Sequence, residues 1–186
     1  LHYPLRRQRQ MCIRDRLHWL NSNTTEGSRK NIAAHYDLGN EMFALFLDPT
    51  MMYSSAMFHA STNTLQAASE LKLKTICNKL DLKPTDHVIE IGTGWGGFAI
   101  YAATHYGCKV TTTTISQQQF ALAKNRVESA GLQDQITLLL DDYRHLTGQY
   151  DKLVSIEMVE AVGHQFYDTY FAKVSKLLKP NGLALI

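Results

Sequence analysis

The chain has 186 residues, of which 45% are hydrophobic and 19% are charged, and its formal net charge is +2. This length and composition suit one globular domain with a substantial core and exclude a disordered protein. No stretch approaches the ~20 apolar residues of a membrane-spanning helix, and no secretory signal opens the chain.

Cys12, Cys77 and Cys108 are odd in number and widely spaced. They predict neither a disulfide framework nor a cluster of metal ligands. Cysteine usage of this kind is typical of a reducing compartment, so we expect a cytoplasmic protein without a metal site.

The segment 1–16 differs in composition from the rest of the chain. It contains five arginines and shows neither helical nor strand periodicity. We interpret it as a disordered arm or as sequence foreign to the natural protein. A basic arm that touches anionic lipid headgroups is the functional alternative.

Residues 17–84 are predicted to form an N-terminal helical segment that covers the substrate. The stretch 31–47 is amphipathic and rich in aromatic residues, and Asp48-Pro49-Thr50 ends it as a turn. A second helix is predicted over 64–80, because its apolar residues recur at spacings of three and four and Thr64 is a suitable N-cap.

Residues 85–186 alternate between strand and helix patterns. Strands are predicted at 87–91, 108–114, 135–140, 152–156 and 183–186, and helices at 98–106, 117–130 and 166–178. This order predicts an α/β, Rossmann-like domain with a parallel sheet, helices on both faces and ligands at the carboxyl ends of the strands. Because the sequence stops inside a fifth strand, which would leave an apolar edge bare, we expect its C-terminal part to be missing.

The turn at 92–97 reads Gly-Thr-Gly-Trp-Gly-Gly, and Glu90 stands two residues before its first glycine. Glycines bring a ligand against bare main chain, and the N-terminus of the following helix favours a carboxylate. Glu90 can accept hydrogen bonds from the ammonium of S-adenosylmethionine. The pattern departs from the G-x-G-x-x-G of nicotinamide sites, and the second strand ends in threonines instead of a ribose-binding acid. A methyl-donor site is therefore favoured over a dinucleotide site or a purely structural turn.

Further segments occur together with this turn in a fixed order: AHYDLGN at 34–40, FLD at 46–48, MYSSAMF at 52–58, Thr114-Ile115-Ser116 with Gln119, and SIEMVEAVG at 155–163. With them, the chain from about residue 31 onward resembles the cyclopropane-fatty-acyl-phospholipid synthase family, which includes the mycolic acid cyclopropane synthases. The glycine-rich turn is common to many methyltransferases, whereas the first and last segments are far more specific to this family.

The resemblance implies the class I methyltransferase fold and a binding site for S-adenosylmethionine. Tyr53 and Ser54 would close over the cofactor from the N-terminal segment. Residues 88–96 would hold its methionine part, through Glu90, Gly92, Gly94, Trp95 and Gly96. The ribose is assigned to Thr114, Ile115 and Gln119, and the adenine to Tyr143 and Arg144.

The resemblance also implies three catalytic candidates. Glu160 matches an acid that helps to bind a bicarbonate ion, and Ser55 stands where many members carry a cysteine that also helps to hold this ion. Position 157 supplies a main-chain carbonyl in the family, and the side chain of Glu157 is a variant. Because of Ser55, methylation without ring closure stays open as an outcome.

The implied reaction moves a methyl group onto a cis double bond of an unsaturated phospholipid acyl chain and then closes a cyclopropane ring. Such a transfer needs in-line positioning in a dry site. Aromatic faces can stabilise the carbocation, and a base, which is the bicarbonate in the family, removes a proton. Substrate contacts are predicted for His35, Tyr36, Phe43 and Phe58, with a capped helix and ordinary core packing as the alternatives.

Two other functions stay open from the sequence: a small-molecule amine N-methyltransferase of related sequence, and a non-catalytic relative that binds lipid or cofactor. For the leading interpretation we expect peripheral association with a membrane surface and no nucleic-acid partner. A homodimer is a further expectation.

Overall fold

The computed structural model describes residues 39–60 and 62–186. Its α-helices are α1 (Gly39–Phe46), α2 (Leu65–Lys79), α3 (Gly97–Tyr106), α4 (Gln117–Ser129), α5 (Val159–Val162) and α6 (Tyr167–Leu177). Its strands are β1 (His87–Ile91), β2 (Lys109–Thr114), β3 (Ile136–Leu140), β4 (Tyr150–Val154) and β5 (Leu178–Leu185). The predictions for His35, Tyr36 and the arm 1–16 lie outside the described residues.

The five strands form one parallel sheet in the order β3-β2-β1-β4-β5. The predicted Rossmann-like sheet is therefore confirmed. The chain runs outward from β1 through β2 to β3 and then returns to the other side of β1 with β4. In sheets of this kind the crevice at such a reversal is where ligands bind, and the glycine-rich turn follows β1 directly.

Both faces of the sheet are covered, and the central strands β1 and β2 are buried along almost their whole length. On one face Val88 packs in a cluster with Leu73 of α2, Phe98 of α3 and Val127 of α4. On the other face the neighbouring residue Ile89 joins a cluster that includes Tyr170 and Val174 of α6. None of the described helices combines the length and apolar character needed to cross a membrane.

Two predicted helix ends have the capping hydrogen bonds that the sequence indicates. Thr64 is the N-cap of α2, and its hydroxyl accepts from the Ala67 amide at 3.1 Å. Gly107 ends α3 with φ of +67°, and its N–H donates to Ala103 at 3.0 Å. Both are local motifs, which explains why the sequence alone predicts them.

The prediction was less accurate after residue 150. The fourth strand is predicted at 152–156, but β4 ends at Val154, and Ile156 and Glu157 beyond it line the cavity described below. The last strand begins at Leu178, earlier than predicted. Leu178 pairs with Tyr150, whereas Leu183 pairs with Lys152, so the residues between them form an irregularity within β5 instead of a turn before it.

Candidate active site

A cavity of about 540 Å³ lies where the carboxyl ends of the strands meet the segment before α2. Most of the predicted cofactor residues line it: Tyr53, Ser54, Glu90, Gly92, Gly94, Trp95, Thr114, Ile115, Gln119, Tyr143 and Arg144. Gly96 does not. It is the left-handed N-cap of α3, with φ of +84°, and a Cβ at this position would stand 3.5 Å from Ala123.

Glu90 is a buried acid in the wall of this cavity, only 3% exposed. The Thr112 hydroxyl donates to its Oε2 at 2.7 Å, and the hydroxyls of Thr93 and Thr112 are 2.7 Å apart. Because Thr112 has one proton and gives it to Glu90, Thr93 must donate to Thr112. Burial raises the pKa of Glu90 to about 8, against the smaller lowering by the Thr112 hydrogen bond. A cation in the cavity would favour the charged form.

The glycine-rich turn adopts a conformation that only glycine tolerates easily. Gly92 and Gly94 have φ of +100° and +52°. The amides of Gly92 and Thr93 donate to the Thr113 carbonyl at 3.1 and 3.0 Å, which ties the turn to β2. The turn therefore presents main chain to the cavity.

Arg126 of α4 binds the N-terminal segment to this turn. Its guanidinium donates to the Trp95 carbonyl at 2.5 Å, to the Pro49 carbonyl at 2.8 Å and to the Thr50 carbonyl at 3.2 Å. The buried carboxylate of Asp48 in turn accepts from the amide and the hydroxyl of Thr50, both at 3.0 Å. Sequence reasoning missed Arg126, because partners 31 and 76 residues away leave no local pattern.

Lys72 is a second residue that sequence reasoning missed. It is 7% exposed, and its ammonium donates to both the carbonyl and the hydroxyl of Ser54. Burial lowers the pKa of Lys72, while the carboxylates of Glu157 and Asp48 act in the opposite direction. A signal was present, since Ala68, Lys72 and Ile76 recur every four residues and place a lysine on the apolar face of α2.

The three catalytic candidates occupy different places. Glu157 lines the cavity, and its Oε1 accepts from the Ser55 amide at 2.9 Å and from the Ser55 hydroxyl at 2.8 Å. Glu160 lies on the exposed side of α5 and does not line the cavity. A bicarbonate ion bound to the Ser55 donors would meet the Glu157 carboxylate, and two like charges 4 Å apart repel by about 4 kcal/mol near a protein surface. The residues present therefore do not fit this ion.

The residues predicted for ribose and adenine form two polar groups. The Thr114 hydroxyl donates to the amide oxygen of Gln119 at 2.8 Å, which leaves the Gln119 amide nitrogen as its donor toward a ligand. The Arg144 guanidinium is held by Asp142 through contacts of 2.8 and 2.7 Å. Burial would raise the pKa of Asp142, but these hydrogen bonds lower it below its ordinary value.

The predicted substrate aromatics are separated. Phe43 is buried, with its ring centroid 4.8 Å from that of Trp95 and 5.4 Å from that of Tyr53, and it does not line the cavity. Phe58 is 65% exposed and also lies outside the lining. Their substrate roles stay predictions, and the position of Phe43 favours support of the Tyr53 and Trp95 rings. Within the described ranges, no group of three or more His, Cys, Asp or Glu side chains could hold a metal ion.

Comparison with known proteins agrees with this geometry. The family model described as mycolic acid cyclopropane synthetase matches residues 23–186. The cyclopropane-fatty-acyl-phospholipid synthase of Escherichia coli is 49% identical over 152 residues, which are 82% of this chain and 38% of that protein. The tuberculostearic acid methyltransferase UfaA1 of Mycobacterium tuberculosis is 40% identical over 89% of this chain and 43% of its own length. The chain thus spans less than half the length of these curated relatives.

Solved structures give the same result. The mycolic acid cyclopropane synthase CmaA1, solved with SAH and CTAB, superimposes with a TM-score of 0.78 at 34% identity. The match covers 82% of this chain and 53% of that chain. The fold is therefore that of the class I methyltransferases, as the resemblance implies.

Proposed function

Because this chain belongs to the mycolic acid cyclopropane synthetase family, we propose that the protein transfers a methyl or methylene group from S-adenosylmethionine to the double bond of an unsaturated phospholipid acyl chain. The observation that carries the proposal is the buried carboxylate of Glu90 in the cavity wall, beside a turn of bare main chain. This pair suits a ligand that carries both an ammonium and a carboxylate, as an amino acid does.

Each part of the cavity has a task in this proposal. Glu90 binds the ammonium of the donor, and the Gln119 amide nitrogen donates to its ribose hydroxyls. The Lys72 ammonium fixes the position of Ser54, because it donates to both the carbonyl and the hydroxyl of that residue. When bound, S-adenosylmethionine supplies a methyl group on a positively charged sulfur, and the closed N-terminal segment keeps water from it.

The acyl chain is proposed from the apolar part of the lining and from the relatives. Met52, Ile156, Met158 and Val162 contribute side chains to the cavity that suit a hydrocarbon chain. The Escherichia coli relative is named for a fatty acyl phospholipid, and both curated relatives described above are lipid enzymes by name. These similarities favour a lipid over the small amine or a non-catalytic role.

Peripheral contact with a membrane surface is part of this proposal, because a phospholipid acyl chain lies within a bilayer. Leu45 and Phe58, which are 86% and 65% exposed, are apolar residues of the N-terminal segment that suit such contact. Bicarbonate is not part of this proposal, because the Ser55 donors are already occupied by the Glu157 carboxylate.

The test is to incubate the full-length protein with methyl-labelled S-adenosylmethionine and vesicles of a monounsaturated phospholipid. We expect the acyl chain to gain the mass of one methylene, and NMR then distinguishes a ring from a branch. Vesicles of the saturated phospholipid are the control. Label in a small amine but in neither lipid would contradict the proposal.

Glu160 stays a proposed catalytic residue by resemblance, and Glu160→Gln tests it. The resemblance predicts that turnover falls by about 10²-fold or more, with unchanged affinity for S-adenosylhomocysteine by calorimetry. Glu128→Gln, on the exposed face of α4, is the matched control. Equal activity of the two variants would remove Glu160 from the mechanism.

A further inference from the structure

Glu157 and Ser55 join two segments that lie 102 residues apart in the sequence. Both donors of Ser55, its amide and its hydroxyl, point at one carboxylate oxygen, Oε1 of Glu157, at 2.9 and 2.8 Å. The other oxygen, Oε2, has no hydrogen-bond partner in the part of the chain that the structure describes. Since Glu157 lines the cavity, this oxygen is available to a ligand there.

A carboxylate and a bicarbonate ion present the same chemistry to such donors. Both are planar, carry one negative charge and accept through sp² oxygens. The donors that the family resemblance assigns to bicarbonate are therefore already satisfied by an anion that belongs to the chain. A second anion would have to displace Glu157 or lie against its charge.

The backbone conformation at Glu157 indicates that the fold holds this carboxylate against Ser55. Its φ is +46°, in the left-handed region that glycine adopts easily and a residue with a Cβ does not. Strained positions of this kind persist only where their surroundings hold them, and they cluster at functional sites. The Lys72 ammonium, whose pKa the Glu157 carboxylate acts to raise, provides a positive charge at Ser54, the residue before Ser55.

We propose that the Glu157 carboxylate, held by Ser55, takes the place of bicarbonate and is itself the base that removes the proton in ring closure. This inference rests on the proposed function, because it concerns the second step of that reaction.

Methyl transfer followed by ring closure needs no reactant other than the donor, the acyl chain and the Glu157 carboxylate. Methyl transfer breaks the bond from sulfur to the methyl carbon, forms one carbon–carbon bond and leaves a carbocation on the acyl chain. Oε2 of Glu157 then takes a proton from the transferred methyl carbon, and the electron pair of that C–H bond closes the three-membered ring. The neutral carboxylic acid returns its proton to water after the product leaves.

Two substitutions at position 157 separate a built-in base from a bound ion. Glu157→Gln keeps an oxygen that can accept from Ser55 but cannot take the proton, so the site stays blocked. Glu157→Gly relieves the positive φ and frees both Ser55 donors. Calorimetry with S-adenosylhomocysteine checks that each variant is folded and binds the donor's product.

Ring formation is then measured for the full-length protein in carbon-dioxide-free buffer, with and without added bicarbonate. We expect wild type to be active in both buffers and Glu157→Gln to lose about 10²-fold or more in both. Glu157→Gly should be equally poor without bicarbonate and should recover at least tenfold when it is added. Wild-type activity that requires bicarbonate, or full activity of Glu157→Gln, would overturn the inference.

A binding measurement decides the question without turnover. Titration of ¹³C-labelled bicarbonate, followed by the width of its NMR line, should show binding to Glu157→Gly and none to wild type. Binding to wild type that Glu157→Gly does not strengthen would overturn the inference. Failure of wild type to modify any lipid in either buffer would instead contradict the proposed function, and would leave the binding result to decide which anion Ser55 holds.

Discussion

Glu90 is the residue at which stability and ligand binding conflict. Its carboxylate is buried with a single hydroxyl donor, and burial raises its pKa to about 8. Because the folded chain retains this proton to higher pH than an unfolded one, folding binds a proton between the ordinary pKa of 4.5 and about 8. The contribution of Glu90 to stability therefore falls as the pH rises through this window.

Glu90→Gln is expected to stabilise the ligand-free protein at pH 8, because the amide keeps the acceptor for Thr112 and removes the buried charge. The free energy of unfolding should rise by more than about 1 kcal/mol at pH 8 and much less at pH 5. Urea denaturation at the two pH values measures this difference.

The same substitution should weaken binding of S-adenosylhomocysteine by about 10–100-fold, since a hydrogen bond to a charged group contributes about 1.5–3 kcal/mol. 5′-Methylthioadenosine, which lacks the amino-acid part, is the ligand control and should bind both proteins alike. An equal loss of affinity for both ligands would show that Glu90 does not contact the ammonium.

At the scale of elements, the segment 48–55 is part of the site because it lies directly on the glycine-rich turn. Arg126 binds both through main-chain carbonyls, and Lys72 binds Ser54 from α2. A Cβ added at Gly97 would stand 2.6 Å from the Thr50 carbonyl oxygen and 2.6 Å from the Met52 sulfur. The absence of a side chain at Gly97 therefore sets the distance between the two segments.

Gly97→Ala tests whether the close approach of Thr50 and Met52 to this helix is required. The backbone oxygen of Thr50 cannot move aside without loss of its contacts to Arg126, so we expect a loss of about 1–3 kcal/mol in the free energy of unfolding, as in other overpacked sites. Hydrogen exchange at 50–54 should also become faster. Thr104→Ala, on the exposed side of the same helix, is the control. Unchanged exchange at 50–54 would contradict the argument.

At the scale of the whole molecule, one cavity is lined by five separate parts of the chain. They are the segment before α2 and the residues that follow β1, β2 and β3, with Met158 and Val162 closing the side after β4. A ligand that fills this cavity therefore contacts all of these parts of the chain at once.

S-adenosylhomocysteine at 100 times its Kd should stabilise the protein by about 2.7 kcal/mol, which corresponds to a rise in Tm of about 5–10 °C. Hydrogen exchange should slow at 52–54, 92–95 and 141–144 together. 5′-Methylthioadenosine at the same multiple of its own Kd should protect 141–144 but not 92–95. Protection confined to the glycine-rich turn would contradict a cavity shared by all three segments.

Much of the fold was open to prediction from short-range patterns. The cap at Thr64, the left-handed end at Gly107 and the strand at His87–Ile91 each depend on a few neighbouring residues. The irregular β5 was not predicted, because its register depends on pairing with Tyr150 and Lys152, which are distant in the sequence.

The sequence by itself determined the order of strands and helices, the glycine-rich turn and the acid before it, since periodicity and local backbone preferences encode these features. Only the tertiary structure decided that Lys72 and Arg126 hold the N-terminal segment, and that Glu157 occupies the donors of Ser55. The physical reason is that hydrogen bonds and burial depend on which distant residues the fold brings together, and no local pattern records the partner of a buried charge.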